Sequence, residues 1–326
     1  MNYSTPNYAV SAAQPAKSIG KIIGLVICII IVLVIILIGI GVGLGVGLGV
    51  GLTRNKNNDD SSGSSNSDTY SILAAPNVDC TYGGSLTCGC SATKPTFASP
   101  RIYQGYTTVS NSWPWMIAIS INNRQSFCGG FLVTYRHVIT AAHCVYLVTT
   151  STIIAYAGIQ QLYLLTSGQS RAVTNITIAD GYDSSSVLND FAILTLASEF
   201  NQVSTVGLCC IQSSTSIPSV GETGVIIGWG ETKDSSSLSN NLQQATIQIQ
   251  ALSSCPGAGT TNSRFCAGYD STNACFGDSG SPLMVSYNNS WTCAGIVSAS
   301  PKCGNNTLYT RVSSFYSLIN SVINSN

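Results

Sequence analysis

Three side chains of the kinds that break acyl bonds stand in contexts suited to that work. Ser279 lies in CFGDSGSPL, between glycines and after a Gly-Asp pair. Such a run permits a tight turn that exposes the hydroxyl and lets backbone N–H groups approach a substrate oxygen. A serine hydroxyl is a weak nucleophile until a base takes its proton. The chain has two histidines, and His143, in VITAAHC, is the candidate base. His137, earlier in YRHVITAAHC, reads as a strand residue near the surface. Asp190, in NDFAILTL, puts a carboxylate at the head of an apolar strand. A buried carboxylate must be paired or hydrogen-bonded, and holding an imidazole in one tautomer would satisfy it. Nucleophile, base and orienting carboxylate together make the set needed for peptide hydrolysis through an acyl-enzyme.

Something must bring these distant segments together. From Ile102 onward, short apolar runs such as WMIAISI, FLVTY, TVGLCCI and GVIIGWG alternate with Gly, Ser and Asn turns. This pattern predicts many short strands, hence a barrel or a sandwich. The segment VSSFYSLINSVI has apolar residues at helical spacing and predicts one C-terminal helix. The stretch 102–326 is ample for one sizeable core and reads as the catalytic domain.

The part before it is different. Residues 1–21 are polar, and residues 22–52 carry no charge. The run IIGLVICIIIVLVIILIGI is long enough to cross a bilayer as a helix, for which ~20 residues are needed. Gly then alternates with Val or Leu through Gly51. The apolar stretch exceeds the core of a secretory signal, and no small-residue cleavage site follows it. It reads as an uncleaved signal anchor, with a removed leader as the rival. Residues 53–70 form a polar Ser/Asn linker, and 71–101 a short stem that carries Cys80, Cys88 and Cys90.

Lys plus Arg and Asp plus Glu both number 13, so the formal net charge is zero. There is no basic footprint for nucleic acid. Of the 13 cysteines, all but Cys28 follow residue 79, so up to six disulfides are possible in an oxidising space. Two histidines and no repeated CxxC pair argue against zinc, and no cofactor is expected. Lys17 and Lys21 precede the apolar run, while Arg54 and Lys56 follow it, so flanking charge does not fix orientation. The cysteines place the C-terminal side outside the cell, with a cytoplasmic N-terminus.

The order TAAHC, NDFAIL, GDSGSP, with RIYQG, FCGG, GWG, FCAG, GIVS and YTRV around it, closely resembles the trypsin/chymotrypsin family over residues 101–326. With the apolar N-terminal run, the chain looks like a type II transmembrane serine protease. The resemblance implies an all-β domain, two six-stranded antiparallel barrels and a C-terminal helix, with the triad in the cleft between barrels. It implies an oxyanion hole from the N–H groups of Gly277 and Ser279, with Ser298 lining the cleft. Arg101-Ile102 resembles the family's activation bond, and a freed Ile102 ammonium would bury against Asp278. Similarity pairs Cys128 with Cys144, Cys255 with Cys266 and Cys275 with Cys303. For the other six, 15 connectivities stay open. We favour Cys209–Cys293, and Cys210 with Cys88 or Cys90, which would keep the cut stem tethered. Gly224 and Val285 stand where many relatives carry cysteines.

The resemblance thins at the specificity pocket. Asn273 corresponds to its floor, an Asp in relatives that cut after Lys or Arg, and Ser300 and Thr307 correspond to its walls. A neutral or small side chain is the expected preference, so another protease would have to cut after Arg101. Ala299 replaces a Trp common in relatives. Asn175, Asn288 and Asn305 each open an N-x-S/T sequon. The expected partners are protein or peptide substrates, an activating protease, and the membrane through residues 22–52. Two other functions compete with an active anchored endopeptidase: a silent protease-like binding module, and a secreted digestive protease.

Overall fold

The computed structural model describes residues 73–97, 105–124, 126–232, 235–269 and 272–325. The proposed anchor at 22–52, the linker and the Arg101-Ile102 bond lie outside the described residues. Among the described residues no helix is long and apolar enough to cross a membrane.

Two closed sheets make the body. After β1 (Tyr106–Thr107), the first barrel contains β2 (Met116–Ile121), β3 (Ser126–Thr134) and β4 (His137–Thr140). It is completed by β5 (Ile153–Ala157), β6 (Gln169–Ile178) and β7 (Ala192–Leu196), and it closes in the order β2-β3-β4-β7-β6-β5. Its strands are rich in Ile, Val, Leu and Phe, residues that fit a pleated buried surface. Ile117, Ile119, Phe131, Leu132, Ile139, Ile193 and Leu194 have no solvent exposure.

The second barrel uses β8 (Thr223–Gly228), then, past the small ribbon β9 (Glu231–Thr232) and β10 (Ser235–Leu238), β11 (Gln243–Gln250) and β12 (Arg264–Gly268). It ends with β13 (Pro282–Tyr287), β14 (Ser290–Ala299) and β15 (Thr307–Arg311). The order β11-β12-β15-β14-β13-β8 is closed by pairing of β8 with β11, and β1 joins at β11. Asn288 and Asn289 take positive φ of 48° and 57°, and Tyr287 pairs with Ser290 across them. That two-residue turn sets the β13–β14 register, since left-handed Asn matches the twist of a tight hairpin. A single-turn helix α1 (Ala142–Val145) follows β4, and helix α2 (Tyr316–Asn324) closes the chain after a 3-10 turn over Val312–Phe315.

Two expectations need correction. TVGLCCI is not a strand: residues 205–211 run outside the named strands, with Cys209 and Cys210 each bonded to other segments. Periodicity alone could not separate a buried crossing from a strand. His137 is not near the surface but 4% exposed, because β4 lies between β3 and β7 in the closed barrel. Its Nδ1 is 2.7 Å from Thr134 Oγ1, and burial pushes its pKa down.

Over residues 73–97 the stem packs against the strands. Cys88 is bonded to Cys210, and Cys80 to Cys90. Gly89 donates to Leu208 O at 2.8 Å and accepts from Trp291 N at 3.0 Å. Phe97 packs against Trp113 and Trp291, at centroid distances of 6.4 and 6.2 Å. Buried Gln244 links the layers: it accepts from Trp113 Nε1 at 2.7 Å and donates to Thr96 O at 2.9 Å. The remaining disulfides are Cys128–Cys144, Cys209–Cys293, Cys255–Cys266 and Cys275–Cys303. Leu283 pairs with Ile226 and Met284 with Val225 where β13 meets β8.

Candidate active site

His143 is delivered by α1, one turn that starts where β4 ends. The Cys128–Cys144 bond ties that turn to β3. Asp190 comes from the opposite direction, at the entry to β7, and its side chain has no exposure, against 27% for His143. The carboxylate accepts three bonds. His143 N–H reaches Oδ1 at 2.8 Å, His143 Nδ1 reaches Oδ2 at 2.8 Å, and Ser298 Oγ donates to Oδ2 at 2.6 Å. Thr310 Oγ1 donates to the Asp190 carbonyl at 3.0 Å. Buried carboxylates are tolerated when their lone pairs are filled in this way. With Nδ1 engaged by the carboxylate, Nε2 is the nitrogen left to take a proton.

Ser279 is held by its backbone. Its carbonyl accepts from Gly129 N–H on β3 at 2.7 Å, and the next residue, Gly280, donates to Val297 O on β14 at 2.9 Å. The Ser279 turn is therefore pinned to both barrels. Gly280 has φ of +81°, and a Cβ there would sit 2.3 Å from Thr140 Oγ1 and 2.4 Å from Gly129 O. Only glycine fits so close an approach. The same position lies 3.2 Å from Ala141 N, in the segment that carries His143, so the two loops are in contact. Among the described residues no hydrogen bond joins the Ser279 hydroxyl to the ring; such contacts commonly tighten only with substrate in place.

Ahead of Ser279, Gly277 has φ of +93°. Asp278 N–H is engaged with Cys275 O at 3.1 Å, whereas the N–H groups of Gly277 and Ser279 have no partner among the described residues. Two unengaged donors on either side of an engaged one are an arrangement that can receive an anionic oxygen.

Asp278 faces the other way. Its carboxylate accepts from Gly230 N–H at 2.7 Å and from Cys275 N–H at 3.0 Å. No cation pairs with it among the described residues. Burial pushes its pKa up to about 6, against the pull of those two donors. It lines a cavity of about 570 Å³, whose wall includes Gly105, Gly230, Asn273 and Cys275. Neither His143 nor Ser279 lines this cavity.

Asn273 sits at the junction of β12 and β15 with every polar position occupied. Its Nδ2 donates to Ala267 O at 2.8 Å and Asn305 O at 2.7 Å. Its Oδ1 accepts from Ala274 N–H and from Tyr309 Oη, each at 2.9 Å. An amide offers two donors and two lone pairs, so none remains for a ligand. Thr307 is fully buried, and the half-buried Ser300 turns its hydroxyl onto Lys302 O at 2.8 Å. Asn175, Asn288 and Asn305 are all exposed. Among the described residues no cluster of His, Cys, Asp and Glu is arranged to hold a metal.

Sequence reasoning put Ser298 on the cleft wall but did not see that it bonds Asp190. It missed Thr310 altogether, since a threonine within a strand carries no local signal of what it will face. Residues 102–319 match the family model described as Trypsin.

Proposed function

Because the chain belongs to the trypsin family, a family of serine peptidases, we propose that it is an active endopeptidase with His143, Asp190 and Ser279 as its triad. The observation that carries this reading is the fully bonded Asp190–His143 pair beside a serine turn pinned to both barrels. His143 Nε2 takes the Ser279 proton as Oγ attacks the scissile carbonyl, then returns it to the leaving amine. Asp190 fixes the ring tautomer and stabilises the imidazolium. The N–H groups of Gly277 and Ser279 receive the negative oxygen. Water, activated by the same base, then cleaves the acyl-serine.

We further propose that the enzyme is made as a zymogen cut between Arg101 and Ile102. Asp278 supports this, as a half-buried carboxylate without a counter-ion among the described residues, on the wall of a cavity large enough for a chain terminus. Gly105 is already part of that wall. The three residues back to Ile102 span at most ~10 Å, so a freed ammonium stays within reach. Pairing it with Asp278 would fix the Gly277–Ser279 turn from behind. The saturated Asn273 amide supports a preference for a neutral residue before the cut, and hence activation by a different protease.

An extracellular setting, with the chain anchored through residues 22–52 and glycans on Asn175, Asn288 and Asn305, fits the six disulfides. The test of function is a peptide library, varied at the residue before the cut, offered to the chain cleaved after Arg101. Turnover of peptides with neutral side chains, abolished by Ser279→Ala, is expected; strong preference for Arg or Lys would refute the pocket reading. Release of the full-length chain from membranes by an alkaline wash would refute the anchor.

A further inference from the structure

One buried guanidinium near the triad takes no part in the chemistry above. Arg264 opens β12 and is 5% exposed. A terminal nitrogen donates to the Ser186 carbonyl, while Nε has no hydrogen-bond partner among the described residues. A buried unpaired donor destabilises the fold, and an apolar side chain of similar volume would avoid that cost. An arginine in this place therefore calls for an explanation beyond packing.

Its neighbours supply one. Ser186 lies in the turn 183–188, which Asp183 organises by accepting from Ser185 N–H and from the hydroxyls of Ser185 and Ser186. That turn leads through Asn189, at φ of 52°, directly into Asp190. On its other side, Arg264 pairs in register with Thr310, whose hydroxyl bonds the Asp190 carbonyl. Arg264 thus reaches the approach to Asp190 through Ser186, while its strand partner holds Asp190 itself. Burial lowers the guanidinium's pKa, and the carboxylates of Asp190 and Asp183 push it back up, so both are within electrostatic range. Tyr182 is a further titratable group near Asp190: burial raises its pKa, and Asp190, Tyr146 and Asp183 add to the rise.

We propose that Arg264 is a positioning residue for the triad: it anchors the turn that delivers Asp190 to the His143 ring. This rests on His143, Asp190 and Ser279 being the catalytic groups.

The experiment compares the chain cleaved after Arg101 with its Arg264→Met, Arg264→Gln and Arg264→Lys variants. Readouts are kcat and KM separately and, on a Ser279→Ala background, the chemical shift of the His143 Nδ1 proton, which reports its bond to Asp190. In Arg264→Met kcat should fall by about tenfold or more with KM unchanged, and the Nδ1 proton should move. In Arg264→Lys, which keeps a cationic donor for Ser186, both should return most of the way to wild type. If Arg264→Met does not fold, Arg264→Gln carries the same test. Wild-type kcat with an unmoved Nδ1 proton in the folded neutral variant, or an equal loss in Arg264→Lys, would overturn the proposal. A wild-type chain that cleaves nothing would instead sink the catalytic reading, and the Nδ1 proton would still decide whether Arg264 positions Asp190.

Discussion

Asp278 gives the account its sharpest handle, because its stability effect reverses sign on cleavage. In the uncleaved chain burial raises its pKa from 3.8 to about 6. The folded state then holds its proton more tightly than the unfolded chain does. Stability from this group is therefore complete below pH ~4 and is lost as pH rises toward 6. At 1.36 kcal/mol per unit, the loss above pH 6 is about 3 kcal/mol. For a domain of this size about 2–4 °C accompanies each kcal/mol, so the melting temperature should fall by roughly 6–12 °C across that window. Other carboxylates titrate as well; Asp183, held near 2 by Ser186 and Ser185, acts in the opposite direction. The assay is thus a difference: uncleaved Ser279→Ala against uncleaved Ser279→Ala/Asp278→Asn, melted from pH 4 to 8. The double variant should gain on the single one as pH rises. After cleavage at Arg101 an ammonium partner should stabilise the ionised carboxylate, and the single variant should instead gain with pH. Parallel curves for the two uncleaved variants, or no change of slope on cleavage, would refute the reasoning.

Other consequences follow from the same contacts. Asp190→Asn keeps the shape but presents a donor where His143 Nδ1–H and Ser298 need an acceptor, so kcat should fall on the order of 10⁴-fold in steady-state hydrolysis with the melting temperature little changed. Asn273→Asp should not convert the enzyme to cutting after Lys or Arg; a carboxylate facing the Ala267 and Asn305 carbonyls should destabilise it by about 2–3 kcal/mol in urea unfolding, and efficient cleavage after Arg would contradict this. A chain cut after Arg101 should run as one species on a non-reducing gel and as two after reduction, because Cys88–Cys210 bridges the cut; separation without reductant would rule the bridge out.

Much of the architecture was legible because it is written locally. WMIAISI became β2, GVIIGWG covers the end of β8, and the spacing after Val312 produced α2. The glycines around Ser279 announced a tight turn, and Gly277 and Gly280 both take positive φ there. What stayed hidden depends on distant partners. Cys209 and Cys210 read as part of an apolar strand, yet they clamp two different segments. His137 looked polar and exposed, but barrel closure buried it. The docking of residues 73–97 through Phe97 and Gln244, and the approach of Arg264 to Ser186, join segments far apart in sequence, and no local pattern encodes such meetings.

The central claim is that Ser279 is made nucleophilic by His143 once the chain has been cut before Ile102. A fluorophosphonate probe followed by peptide mapping reads this directly. The account predicts stoichiometric phosphonylation of Ser279 in the cleaved chain, little in the uncleaved chain, and none in cleaved His143→Ala. An unlabelled Ser279 in the cleaved wild type, or equal labelling with His143→Ala, would contradict it.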